Sequence, residues 1–579
     1  MRLSTHILFS APLFFAVAAL TACDSAPTGP SLTELATTQS DVSSDAVSIK
    51  AIPPTDLPPE GSRSLFDHII KENGALPYPF EQLIDLVASY DAGERAPLTL
   101  LIPDGRSLLK GQADFVQPRI VVAANAEPAA GGAELTPIFK GRLFLGFVEG
   151  ADEIEIISYN EAAGRFEFQL VKDYREGGVP RLVYAKRAIC ITCHAGNGPI
   201  FPTRPWEETS AQPAIQQAIA EARDSAGPYH GARLDNKLAD AEAFDALTDK
   251  GNLIPVAQRL WLDGCGASGA GNLCRQQMLS LALRYMWDPA AFTPQGPEIT
   301  RLRELQAVSW PEAGIALDNG DLLNRNPFTD HPADYNWIDW VTSWFGDGRH
   351  VASRRQMDQD TVAAFEAQPR LRADVDPLTP RLPRKTITSS DLDAVYALAQ
   401  MFSSEDRKRL EVLSEYRFEV LSAALDKLPE EAWEARPFSR VRFLQRLHVA
   451  LGVQAPGFCC SDSEGMSAPL VAGAPPLKIS EGSVLTHFRT YCFACHRGNP
   501  SAKLDFMNGE SEEEVLTRIQ EVQKIRDVLD YERYQGTDKA PRLMPPANSY
   551  QRRLLDEARQ AGEGHVQEMT DTIPGLFDF

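Results

Sequence analysis

Two hydrophobic periodicities follow one another along this chain. Leu65-Phe66-Asp67-His68-Ile69-Ile70 and Phe80-Glu81-Gln82-Leu83-Ile84-Asp85-Leu86-Val87 place apolar residues three and four apart, which predicts two amphipathic helices. The pattern then changes to period two. Leu98–Ile102, Arg119–Ala123 and Leu143–Val148 read as strands, and Ile154–Tyr159 with Arg165–Val171 reads as a hairpin across the turn at Asn160–Gly164. Helical spacing returns at Ala214–Ala222, Leu273–Met286, Asp391–Phe402, Phe418–Leu428 and Val441–Leu451, between loops rich in Pro, Asp and Arg. Ala468–Pro476 is a linker of small residues, and a last compact unit follows it, closing on a helix over Tyr550–Ala561. The expected fold class is α+β. A strand-rich N-terminal region leads into a helical middle and an all-α C-terminal domain.

Arg2, the apolar run Ile7–Leu20 and then Leu20-Thr21-Ala22-Cys23 have the layout of a secretory signal, with residues 1–22 removed. This ending resembles the bacterial lipoprotein box, which implies acylation of Cys23 and a firm membrane attachment. A periplasmic protein whose cysteine merely follows the cleavage site is the competing reading. Asp24 resembles the inner-membrane retention signal of enteric bacteria, a rule that varies between lineages, so inner and outer membrane both stay open. Residues 23–60, rich in Ser, Thr, Pro and Asp, suit a flexible tether. No second stretch has the apolar length to cross a bilayer, so the body beyond the anchor is expected to be soluble. A chain of 579 residues exceeds one core. The expected division is a mixed β/α region over 61–345, a helical connecting region over 346–476 and a terminal domain over 477–579. The net charge of −22 argues against nucleic acid and favours a basic or neutral partner.

Chemistry enters with two C-x-x-C-H pentapeptides, Cys190-Ile191-Thr192-Cys193-His194 and Cys492-Phe493-Ala494-Cys495-His496. A shuffled chain of this composition gives one such match about twice in a thousand tries. The spacing is that of covalent haem c attachment: two thiols reach the two vinyl groups of one porphyrin, and the next residue offers an imidazole to the iron. A zinc knuckle or a redox C-x-x-C must explain the histidine both times. Two covalently bound haem c groups are therefore the expected cofactors, with Cys190, Cys193, Cys492 and Cys495 as attachment sites and His194 and His496 as iron ligands. Haem attachment in bacteria takes place outside the cytoplasmic membrane, where disulfides also persist, so the motifs and the signal choose one compartment, the cell envelope. Cys265, Cys274, Cys459 and Cys460 remain for structural disulfides, with three connectivities open.

The terminal unit, with Cys492, Cys495, His496 and the later run Arg542-Leu543-Met544-Pro545-Pro546, resembles the small Met/His cytochrome c domain. The resemblance implies Met544 as the distal ligand, whereas Met507 reads as core packing. At the first site, Gly198-Pro199 is expected to form the turn that orients the His194 ring. For its sixth ligand His230, Met278 and Met286 compete with an open position. Arg204 and Trp206 fit a propionate partner and a packing group, or ordinary structure. With two haems the chain loosely resembles the bacterial di-haem peroxidases and, in size, the di-haem rubber oxygenases. It departs from the peroxidases in the wide spacing of its motifs and in the sheet before the first one, so no peroxidase residue is carried over to the middle of the chain.

The leading expectation is a membrane-anchored periplasmic di-haem cytochrome c that carries electrons between redox partners. The alternative is a peroxidase- or oxygenase-like enzyme with the first haem as catalytic centre, for which the sequence names no catalytic residue. A non-catalytic binding or sensing module is the third. The sheet before Cys190 is either a binding platform or a cover for one haem face.

Overall fold

The computed structural model describes residues 55–90, 97–103, 113–126, 134–191, 194, 196–199, 209–266, 269–317, 386–458, 463–472, 477–498, 504–522, 524–537, 539–546 and 549–573. All of them fall within one unit, residues 51–579. Cys23, Cys193, Arg204, Trp206, Cys459 and Cys460 lie outside the described residues.

The fold is α+β. Two short amphipathic helices, α1 (Leu65–Asn73) and α2 (Phe80–Ser89), precede six strands: β1 (Leu98–Ile102), β2 (Arg119–Ala123), β3 (Leu143–Val148), β4 (Glu153–Asn160), β5 (Arg165–Lys172) and β6 (Arg181–Tyr184). They form one antiparallel meander in the order β1-β2-β3-β4-β5-β6. Ser64 starts α1 through a reciprocal capping box with Asp67, and Gly74 ends it in the left-handed region. The expected strands are present with nearly the expected ends. β6 was not anticipated, because four residues behind a proline are too few to display a period.

The register settles which face each strand residue serves. Ile120 lies opposite Phe147, Phe147 opposite Ile154 and Ile154 opposite Val171, and this face is covered by α1 and α2, with Phe80 stacked on Phe147 at 4.6 Å. The other face carries Leu100, Val121, Phe144, Ile157, Phe168, Leu170 and Val183. Over its β1–β3 side lie Ala241, Phe244 and Leu247 of a 26-residue helix, α5. Its β5–β6 side receives the first C-x-x-C-H turn.

The later helices include α3 (Arg187–Cys190), α4 (Pro213–Ala222), α5 (Leu238–Asp263), α6 (Gly269–Trp287), α7 (Pro297–Ser309), α8 (Asp393–Ala399), α9 (Ser404–Leu413), α10 (Phe418–Leu425) and α11 (Arg440–Ala450). One continuous core runs from Leu65 to Leu447 and includes α8, which packs on both α5 and α6. Cys265, just past α5, and Cys274, within α6, are joined by a disulfide, one of the connectivities the sequence left open. A second core, from Leu485 to Ile573, is built by α12 (Leu485–Tyr491), α13 (Phe493–His496), α14 (Glu512–Glu521), α15 (Lys524–Val528), α16 (Tyr531–Tyr534), α17 (Tyr550–Gln560) and α18 (His565–Asp571). Among the described residues, no helix is long and apolar enough to cross a membrane.

Candidate functional site

The first motif begins as a single helical turn at the end of β6. In α3 the Cys190 side chain faces the sheet, buried with Ile191 against Phe168, Leu170, Val183 and Ala185. His194 donates its backbone N–H to the Cys190 carbonyl at 2.9 Å, so cysteine and histidine leave the same side of one turn. The His194 ring lies on Phe168, centroids 5.4 Å apart, with its Nδ1 2.8 Å from the Gly198 carbonyl. A carbonyl only accepts, so Nδ1 carries the proton and Nε2 keeps its lone pair. The Gly198-Pro199 turn expected from sequence thus supplies the acceptor. Burial pushes the His194 pKa down to about 4, against the partly restoring Gly198 hydrogen bond, and Arg119 adds a smaller push in the same direction. The ring is neutral, the form that binds a metal.

Two glycines let that turn reach its place. A Cβ at Gly251, inside α5, would lie 2.6 Å from Pro199, and one at Gly198 would lie 2.8 Å from the Asn252 side chain. The close approach accounts for a glycine in mid-helix, where it costs roughly 1 kcal/mol relative to alanine. Arg187 fastens the other side. Buried, it donates to the Phe166 carbonyl at 2.7 Å and to Asn197 Oδ1 at 3.1 Å, and its guanidinium lies 5.1 Å over the Phe168 ring. Burial lowers its pKa to about 10, and Glu167, 3.6 Å away, acts in the opposite sense.

The second motif repeats this design on its own core. Cys492 donates its N–H to Phe488, His496 donates its own to Cys492, and the His496 Nδ1 stands 3.0 Å from the Leu504 carbonyl with the ring 4.5 Å from Phe506. Burial lowers the His496 pKa. It also raises both thiols, Cys492 to about 12 and Cys495 to about 11, the latter partly offset by Lys186. Arg497 takes the part of Arg187: it is buried, lies over Phe493, and donates to the Met507 and Gly509 carbonyls at 3.2 and 3.0 Å.

The two methionines of the terminal unit part company. Met507 is 1% exposed and belongs to the second core. Met544 is half-buried, and its backbone is held on both sides: its N–H donates to Val528 at 2.9 Å and its carbonyl accepts from the Tyr531 hydroxyl at 2.8 Å. Arg552 donates to the next carbonyl, that of Pro545, at 3.1 Å and lies over the Tyr531 ring, which shares a cluster with Cys492.

The distal candidates of the first site have other partners. His230 sits at positive φ with its Nε2 3.1 Å from Glu149 and its ring on Phe147 and Tyr229. Met278 is wholly buried in the main core, and Met286 packs at that core's edge. Sequence reasoning missed an ion pair on the same sheet face as the turn. Arg119 crosses Gly146 to reach Glu155 at 2.5 Å, and a Cβ at Gly146 would lie 2.6 Å from the guanidinium. The only signal was a glycine within an otherwise apolar strand.

Among the described residues, no three His, Cys, Asp or Glu side chains converge as for a bare metal ion. Haem asks for less, because the porphyrin brings four nitrogens and needs one imidazole and thiols at the right spacing. His194 and His496, each neutral, each oriented through Nδ1 and each following a cysteine on one helical turn, fit that requirement. Family models, curated proteins and solved structures offer no match to the chain.

Proposed function

We propose that the protein is a membrane-anchored di-haem c-type cytochrome of the bacterial cell envelope that passes electrons between periplasmic partners. The observation that carries this reading is the repeated histidine geometry: in both C-x-x-C-H turns a backbone carbonyl takes the Nδ1 proton, so Nε2 is the free coordinating atom. Cys190, Cys193, Cys492 and Cys495 would hold the two porphyrins, His194 and His496 would ligate iron, and Met544 would be the second axial group of a C-terminal Met/His cytochrome c domain. When bound, each haem supplies a one-electron ferric/ferrous couple. The chain's own work is to keep both imidazoles neutral and oriented, and Arg187 and Arg497 do this by fixing the loops around each turn. The acidic surface draws a basic or neutral partner by an attraction that salt weakens. The buried Cys265–Cys274 disulfide agrees with an oxidising compartment.

One observation favours a second reading, a peroxidase- or oxygenase-like enzyme centred on the first haem. The distal candidates are engaged elsewhere, His230 with Glu149 and Met278 and Met286 in the main core, which would leave the sixth position of the first iron open to a small oxidant. Pyridine haemochrome counting on the denatured polypeptide tests the primary claim, with two haems per chain expected and one after Cys190→Ala with Cys193→Ala. Haem extracted by acid-acetone from the wild type overturns it. Ferric spin state then separates the readings: two low-spin haems support transfer, and a high-spin first haem supports the enzyme.

A further inference from the structure

The two C-x-x-C-H turns, far apart in the chain, touch. Lys186, the residue that starts α3, donates from Nζ to the carbonyl of Arg497, the residue that ends α13, at 2.7 Å across a separation of 311 residues. The Cys495 Sγ stands 3.8 Å from the Ala188 carbonyl, two residues before Cys190 in the same helical turn. An ammonium at the C-terminal carbonyl of a helical turn is favourably placed by charge as well as by hydrogen bonding. The ends of this joint are secured independently, because Arg187 ties α3 to β5 and Arg497 ties α13 to the Met507–Gly509 segment.

A second arrangement brings the same parts together. Tyr184, at the end of β6, donates its N–H to Leu470 at 2.7 Å and accepts from the Ala472 N–H at 2.8 Å, pairing parallel with Val471. The segment just before the terminal unit therefore runs as an extra edge on β6, two residues from Lys186. The stretch read from sequence as a small-residue linker is held to the sheet at this point.

We propose that this joint holds the two haem groups as one interacting pair, with Lys186 and the Leu470–Ala472 edge as positioning residues. The inference rests on the di-haem reading above and goes beyond it: two groups fixed to touching turns sense each other optically and magnetically, whereas groups on independent domains do not. Lys186 is a positioning residue and touches neither iron nor porphyrin. It acts through the Arg497 carbonyl, and so through the placement of His496.

The test uses the full chain with both haems attached and does not depend on activity. Haem is first counted, and fewer than two per chain overturns the di-haem reading together with this inference. With two present, Soret-region circular dichroism and ferric electron paramagnetic resonance of the wild type are compared with the sum of two single-haem variants, Cys190→Ala with Cys193→Ala and Cys492→Ala with Cys495→Ala. A bisignate Soret band and broadened resonances absent from the sum are expected. A sum that reproduces the wild type overturns the inference and leaves the di-haem reading standing. Should a single-haem variant fail to fold, Lys186→Met and Lys186→Arg carry the test. Loss of the bisignate band in the first, with both haems still bound, and its return in the second are expected, and an unchanged band in Lys186→Met overturns the positioning role.

Discussion

Removing the Cys265–Cys274 disulfide by Cys265→Ala with Cys274→Ala is expected to cost about 2.6 kcal/mol. The bridge spans a sequence separation of 9 and both cysteines are fully buried. Closing a loop of that size removes about 2.1 + 1.5R ln 9, or about 8.7 cal/mol/K, from the unfolded chain, which is about 2.6 kcal/mol at room temperature. The native corner does not depend on the bond alone. Arg275, also buried, donates to the Trp261 carbonyl at 2.8 Å and the Gly266 carbonyl at 2.6 Å, so the turn between α5 and α6 keeps its shape and the loss falls mainly on the unfolded state. Urea unfolding of the wild type and the variant, with mass spectrometry after alkylation under non-reducing conditions, measures both the cost and the bond. A variant within about 0.5 kcal/mol of the wild type refutes the loop-entropy argument. Alkylation of Cys265 and Cys274 in the urea-unfolded wild type without reductant refutes the bond, and with it the structural support for an oxidising compartment.

Met544→Ala is expected to abolish the thioether-to-iron charge-transfer band, lower that haem's potential and open its iron to carbon monoxide, with both haems still attached. Met507→Ala should leave band and potential intact and cost roughly 2 to 5 kcal/mol, because it empties a site in the second core; the opposite outcome gives the ligand role to Met507. Cys23→Ser should yield a protein without acyl mass and released from membranes on fractionation, and an unmodified Cys23 in a native preparation ends the anchor argument. His448, buried in α11 with Nδ1 on the Leu444 carbonyl, has its pKa lowered by burial, with Arg409 pushing the same way and Asp406 the other. Below the ordinary pKa of about 6.5 the unfolded chain binds the extra proton and the folded chain does not, so stability falls as pH drops through that value toward the folded pKa. The urea midpoint should drop more between pH 7 and pH 5 in the wild type than in His448→Gln, and equal drops contradict the assignment.

What the sequence made legible is what is local. Strands β1 to β5 were legible because β4 and β5 alternate over most of their eight residues, while β1, β2 and β3 are short apolar runs between turn signals, the pattern of strands covered on both faces. Helix α5 was missed although it is the longest of those described. It is interrupted by Pro255 and Gly251, and it contacts both the sheet and α8, so no single apolar stripe marks it. The same division holds at the site. Cys190, His194, Cys492, Cys495, His496 and the Gly198 turn each lie within one motif and its flank, where the spacing of the C-x-x-C-H pentapeptide marks them. Lys186, Arg119, Glu155, Phe168 and Tyr531 matter because strands and turns distant in sequence meet, and a single sequence holds no record of such meetings.

The sheet before Cys190 now has a physical reading that the sequence left divided between platform and cover. A four-residue turn cannot hold itself, because so short a helix forms only where packing supplies what its few hydrogen bonds do not. The sheet gives α3 that packing through Phe168, Leu170 and Val183, gives Arg187 a carbonyl on β5, and gives His194 an aromatic floor. The C-terminal turn obtains the same support from α12 and its own core, with no strand among the described residues there. The sheet is therefore the first turn's foundation, standing where helices stand in the second. Its β6 edge also binds the segment leading to the terminal unit, so one element both builds the first site and brings the second to it. On the di-haem reading, disturbing β6 should accordingly perturb both haems, whereas disturbing α14 should perturb only the second.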